Sequence, residues 1–364
     1  MAESTSQTAT GADDENLSFI SNFNDIFLAI GLLMLAAGMT IACVVVLASL
    51  GGVTRPAFAV GALTFGGAAG VFWLLAEFFA GKKRQTIPGI AICLVFVSFT
   101  LSAVAALYGL VSFETISSVD WRSDGEGSFG RIERLLRAAP ILAVTVTLIA
   151  LGGFYARFKL PIASALAVYT AVFAPLVIFF SLRAEDIEAI DQALGLWTLS
   201  SIIGGVVLFV LGVWFDARDP SRVSRFSDNA FWMHFFAAPL MLQSAVQPLL
   251  IPSEAFLDGA IDPASIFSVS RAALVLGILF GFALLSVLIN RRALIVAGLL
   301  YAGWAIGILM NNAGLGAGAM AAMTLVLLGG MVVVLGAGWH GIRRVLIAPF
   351  PKTGFVARII PPEA

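Results

Sequence analysis

Ten stretches of 18 to 25 residues run through this chain without a single Asp, Glu, Lys or Arg. They span 26–50, 57–76, 88–112, 139–156, 160–182, 194–215, 230–251, 272–289, 293–310 and 319–339. A helix needs about 20 mostly apolar residues to cross a bilayer, and every stretch is of that order. Only helices and closed barrels satisfy all backbone hydrogen bonds in hydrocarbon. The expected fold is therefore all-α, a polytopic transmembrane bundle of about ten spans. The last two spans are divided only by the turn-forming run 311–316, but 293–339 is too long for one crossing.

Composition excludes the alternatives. The 364 residues are 60% hydrophobic and 12% charged, against about 45–50% and 25% in soluble domains. Only two cysteines occur, Cys43 and Cys93, both inside apolar stretches, so no disulfide framework or cysteine metal site is expected. The net charge of −1 offers no basic field, and no nucleic-acid partner is expected.

Three regions follow. Residues 1–25 carry five acids and no Lys or Arg, which reads as a disordered acidic tail without the basic start of a signal peptide. Residues 26–339 form the membrane domain, and 340–364 form a basic amphipathic cytoplasmic tail. Fourteen of the 21 basic residues fall on the side shared by both termini, and seven on the other. Cytoplasmic loops hold the Lys/Arg excess, so both termini are expected inside. Trp197, Trp214, Trp232 and Trp339 lie at span ends, where aromatic belts form.

The loop 113–137 resists this orientation, because it holds four Arg yet falls outside. Arg131, Arg134 and Arg137 share one helical face, with Ile132, Leu135 and Leu136 on the other. A helix lying on the outer leaflet accounts for this; a miscounted span in the first half is the alternative. The pairs Gly66/Gly70, Gly277/Gly281 and Gly303/Gly307 have the small-xxx-small spacing of close helix contacts.

No span is forced to hold a charge, which argues against a carboxylate relay. Glu77 follows the second span and Arg271 precedes the eighth; each is placed at an interface or, alternatively, in a buried site. The seventh span is the most polar. It carries His234, Pro239, and Gln243 and Gln247 four apart on one face. These residues define a candidate polar cavity: His234, Gln243, Gln247, Glu77 and Arg271, with His234 able to handle a proton at its mouth. The bland reading of the same residues is interhelical hydrogen bonding. No metal-ligand spacing and no phosphate loop occurs, and no cofactor is expected.

Four phrases occur together: Phe23-Asn24-Asp25-Ile26-Phe27, Trp73 to Phe79 before a basic triplet, Ser227 to His234, and Trp339-His340 followed by Arg343-Arg344. The set resembles a group of polytopic inner-membrane proteins of Gram-negative bacteria to which no activity is assigned. The resemblance implies an all-helical integral fold and multi-pass residence in the inner membrane. The leading expectation is binding or passage of a small neutral or amphiphilic solute. The alternative is a non-catalytic envelope or scaffold protein that contacts lipid or partner proteins. A membrane-embedded transferase using His234 and Asp228 ranks third, so no enzyme is expected. The partners expected are the lipid bilayer and a small solute.

Overall fold

The computed structural model describes residues 23–118, 126–183, 188–219, 224–250, 268–314, 316–351 and 353–360. Most of the acidic tail lies outside them. Among the described residues every regular element is helical. In order these are α1 (Phe23–Ala48), α2 (Arg55–Ala76, continued by a π-helical turn, Glu77–Lys82), α3 (Thr86–Val111) and the short α4 (Phe113–Ser117). Then come α5 (Glu126–Phe158), α6 (Pro161–Arg183), α7 (Glu188–Arg218) and α8 (Arg225–Leu250). The chain continues with α9 (Val269–Ile289), α10 (Ala293–Asn312), α11 (Ala317–Ile347) and the short α12 (Phe355–Ile359).

The ten long helices, α1 to α3 and α5 to α11, coincide with the ten charge-free stretches. Among the described residues eight of the helices are long and apolar enough to cross a membrane, and α8 is not one of them. For α8 the reason is its His234, Gln243, Ser244 and Gln247, which dilute the apolar run. Large apolar side chains such as Leu63, Val111 and Val326 point outward. In water such surface would drive association, whereas in lipid it is the natural exterior.

The chain divides into two compact units within α7, one from Leu17 to Ser200 and one from Ser201 to Ala364. In the first unit, α2 packs most extensively on α3, and α5 on α6. Its core is aromatic: Phe72 meets Phe99 at 5.6 Å, Trp73 meets Phe158 at 5.2 Å, and Phe154 meets Phe158 at 4.6 Å. Toward the other end of α2 and α3 a glycine admits a ring: a Cβ on Gly109 would lie 2.2 Å from the Phe58 ring. Thr54 caps α2 by accepting from the Ala57 amide at 3.2 Å.

Polar contacts mark the ends of this unit. At one end Gln85 donates to Asp25 at 2.8 Å, and Arg157 pairs with Glu77. These contacts join the start of α1, the α2–α3 turn and the end of α5. At the other end the Tyr108 hydroxyl donates to the Leu135 carbonyl at 3.0 Å, and Arg137 donates to the Leu182 carbonyl at 3.1 Å. Successive helices therefore alternate in direction.

Two local expectations change. The 131–137 segment is not a separate surface helix: α5 runs unbroken from Glu126 through Pro140 to Phe158. Residues 340–347 form the last turns of α11. Among the expected glycine pairs only Gly303 has a neighbour too close for a Cβ, Leu328 at 2.9 Å.

Candidate functional site: a buried charge cluster beside an apolar groove

Phe209, Gly212 and Asp216 stand at i, i+3 and i+7, and so share one face of α7. Against that face lies the imidazole of His234 from α8. A Cβ on Gly212 would sit 2.8–2.9 Å from three atoms of the ring, so the approach requires glycine. Phe209 meets the same ring edge-on at 5.3 Å. His234 is fully buried, with Nε2 3.1 Å from Asp216 Oδ2.

Asp216 is completed from the α9–α10 turn. Arg291 donates from Nε to Oδ2 at 3.1 Å and from Nη2 to Oδ1. The same Nη2 reaches the Ser227 hydroxyl at 3.2 Å and the Ser227 carbonyl at 3.3 Å, in the first turn of α8. Arg291 is held at its own backbone as well. Its amide donates to the Ser286 carbonyl at 2.9 Å, and its carbonyl accepts from the Ser286 hydroxyl. Asn290, in the left-handed region at φ 55°, caps α9 and accepts from Trp339 Nε1 at 2.8 Å.

The electrostatics follow from the donor inventory. A carboxylate oxygen accepts, so the His234 nitrogen facing Asp216, Nε2, is assigned the proton between them. The charges of Arg291 and Asp216 cancel as a pair. Burial of either ion alone would cost several kcal/mol. The contacts tie together the end of α7, the start of α8, the α9–α10 turn and the end of α11. Successive helices thus alternate in direction in this unit too. A second clamp lies alongside, where Asp219 accepts from the Ser224 amide at 2.7 Å and the Ser224 hydroxyl at 2.6 Å.

The five residues singled out from sequence separate. His234 joins the cluster through Asp216. Gln243 and Gln247 meet each other at 3.5 Å, half-buried, and nine helical positions put Gln243 about 13 Å along α8 from His234. Arg271 lies in the first turn of α9, its amide donating to the Ser268 cap at 3.2 Å, at the opposite end of that helix from Arg291. Val246 and Ala272, the chain neighbours of Gln247 and Arg271, belong to one apolar core with Val275, Ala305 and Ile308. Glu77 belongs to the first unit, where Arg157 grips both its oxygens at 2.9 and 2.6 Å.

Asp216, Ser227, Arg291 and Trp339 complete the site without any motif in the sequence that marks them. Trp339, expected in an aromatic belt, is instead buried in the bundle. Trp214 does face outward at a helix end, with the Arg218 guanidinium 3.6 Å from its ring centre. Among the described residues no group of three or more His, Cys, Asp or Glu is placed to hold a metal ion.

Beside the cluster a groove of about 760 Å³ opens between α9, α10 and α11. Its walls include Leu279, Phe280, Leu294, Leu299, Val334 and Val345, and every residue lining it is apolar. Its size falls within the range of small-molecule sites, about 300–1,000 Å³.

Comparison with protein-family models, with curated proteins and with solved structures finds no match. Fold and site define the class: a multi-pass helical membrane protein in which a buried Asp–His–Arg cluster locks helix ends beside an apolar groove.

Proposed function

We propose that this protein binds a small amphiphilic molecule from the bilayer, in the groove between α9, α10 and α11, without catalysing a reaction. We place it in the bacterial inner membrane with both termini cytoplasmic, on the charge bias of its loops and the resemblance of its sequence phrases. The observation that carries the binding reading is the groove itself, about 760 Å³ with no polar side chain in its walls. Such a lining selects against ions and sugars, whose polar groups would lose water without gaining partners. The charge cluster supports a structural role for His234: the ring is sealed from solvent and pressed on Gly212.

Photolabelling in reconstituted bilayers tests this reading. A fatty acid with a diazirine in its chain is expected to modify Leu279, Leu299 and Val334 above the lipid-facing surfaces of α1 and α7. Even labelling across all these helices overturns it.

A further inference from the structure

We infer that the end of the first unit formed by the α2–α3 and α5–α6 turns holds the headgroup of an anionic phospholipid, a site separate from the groove. Contacts within the unit bring the two turns together. Arg157 grips Glu77 across them, and Ala80, Phe158 and Leu160 share one core. Lys82, Lys83 and Arg84 of one turn therefore share this end with Arg157 and Lys159 of the other, and all five are exposed. Among the described residues of this unit, the acids at this end are Asp25 and Glu77. Glu77 is taken by Arg157 at 2.6 Å, and the buried Asp25 accepts from Gln85 at 2.8 Å. Five cations against two carboxylates leave an excess of three positive charges.

The backbone keeps two of these cations under strain. Arg84 and Lys159 lie in the left-handed region, at φ 55° and 56°, each just past a helix end. Glycine is the usual residue there, because a Cβ is crowded in that conformation. Helix-end carbonyls favour a cation, but Lys82 and Arg157 already serve them from the last turns. A bound anion gives the strained pair a use that capping does not. The neighbouring surface selects an amphiphile over a free anion. Lys83 Nζ stands 4.8 Å over the ring of Phe78, which is 45% exposed, so cation and apolar ring lie side by side. The turns also fall between charge-free stretches, 57–76 and 88–112 on one side, 139–156 and 160–182 on the other. That is where helices leave the hydrocarbon and meet lipid phosphates. A headgroup with net negative charge meets the cations while its chains pass Phe78. A zwitterionic lipid brings its own ammonium and gains less.

The test is native mass spectrometry of the full chain in mild detergent, titrated with phosphatidylglycerol or phosphatidylcholine of matched acyl chains. Phosphatidylglycerol is expected to bind more tightly. Lys82→Gln and Lys83→Gln are each expected to weaken it about fivefold and to leave phosphatidylcholine unchanged. Lys82→Arg and Lys83→Arg keep the charge and are expected to keep the preference. Arg84→Gly and Lys159→Gly relieve the backbone, so they are expected to raise the melting temperature while weakening phosphatidylglycerol. A lower melting temperature with unchanged lipid binding would assign both residues to the fold and overturn the inference. Arg218→Gln removes an exposed cation stacked on Trp214 in the second unit and is expected to change nothing. A loss there as large as that of Lys83→Gln means that only overall charge counts, and overturns it. So do equal affinities for the two lipids. Glycerol phosphate that binds as tightly as the lipid assigns the site to a soluble anion instead. A preference that emerges only after Asp13→Asn, Asp14→Asn and Glu15→Gln assigns the surface to the chain's own acidic segment and overturns the lipid.

Discussion

Arg291 grips both carboxylate oxygens of Asp216, a partner 75 positions earlier in the chain. Both side chains are buried, and each is tolerable only because the other is there. Removing one member of a buried ion pair costs about 3–5 kcal/mol, whereas replacing both is often close to neutral. Arg291→Met is therefore expected to destabilise the purified protein by about 3–5 kcal/mol. Asp216→Asn alone leaves a guanidinium short of its counter-charge and is expected to be comparably harmful. The double variant should recover most of the loss, because the Asn carbonyl still accepts from His234 and no charge remains. Denaturant or thermal melts of the four proteins in one detergent check this; additive losses would mean that the pair is not coupled.

The second contact of the cluster is steric. Any side chain at Gly212 would invade the His234 ring, and overpacking of this kind costs about 1–3 kcal/mol. Gly212→Ala is expected to fall in that range in the wild-type background and to cost much less alongside His234→Ala. A double-mutant cycle measures the coupling. Equal costs in both backgrounds would show that the ring does not lie against α7.

Much of the architecture is legible in the sequence because hydrocarbon leaves few options: a charge-free run of the right length becomes a helix. The cluster is harder to see. Asp216 stands one residue beyond the run 194–215, and Arg291 two beyond 272–289, so each reads as a loop residue facing water. A signal was nonetheless available. Only three residues separate α9 from α10, too few to carry Arg291 away from the bundle, and Asp216 ends a face begun by Phe209 and Gly212. In sequence the acid nearest to His234 is Asp228. Six positions along one helix point about 120° apart and lie about 9 Å from each other along the axis, so that acid is poorly placed to serve the ring. Which acid completes a buried histidine is decided by tertiary packing, and a periodic apolar pattern does not encode it.

Glu77 supplies the contrast. Its bidentate pairing with Arg157 is geometrically good, but the side chains are 30% and 57% exposed. Pairs in that setting contribute about 0–1 kcal/mol. Glu77→Gln is expected to cost less than about 1 kcal/mol, and the exchange Glu77→Arg with Arg157→Glu to restore most of it. Melts run beside those of Asp216→Asn give the comparison. A loss as large as that of Asp216→Asn would place Glu77 among groups the fold depends on.

The four-arginine loop is the sharpest test of orientation. At that end of the first unit, Arg137 pairs with Glu133 and donates to the Leu182 carbonyl, while Arg55 lies 4.0 Å from Glu114. Local acids thus offset part of the positive charge that would otherwise favour the cytoplasm. The 33 residues of α5 span about 50 Å, more than the roughly 30 Å of a hydrocarbon core, so Arg134 and Arg137 fit in turns beyond it. Single cysteines at Gly52, Lys83 and Ser118, in a background with Cys43 and Cys93 replaced, check the arrangement with an impermeant maleimide. Lys83→Cys is expected to react from the cytoplasmic face, and Gly52→Cys and Ser118→Cys from the opposite face. Reaction of Ser118→Cys from the same face as Lys83→Cys would break the alternation of α2, α3 and α5. Reversal of all three would keep the fold and invert the protein in its membrane.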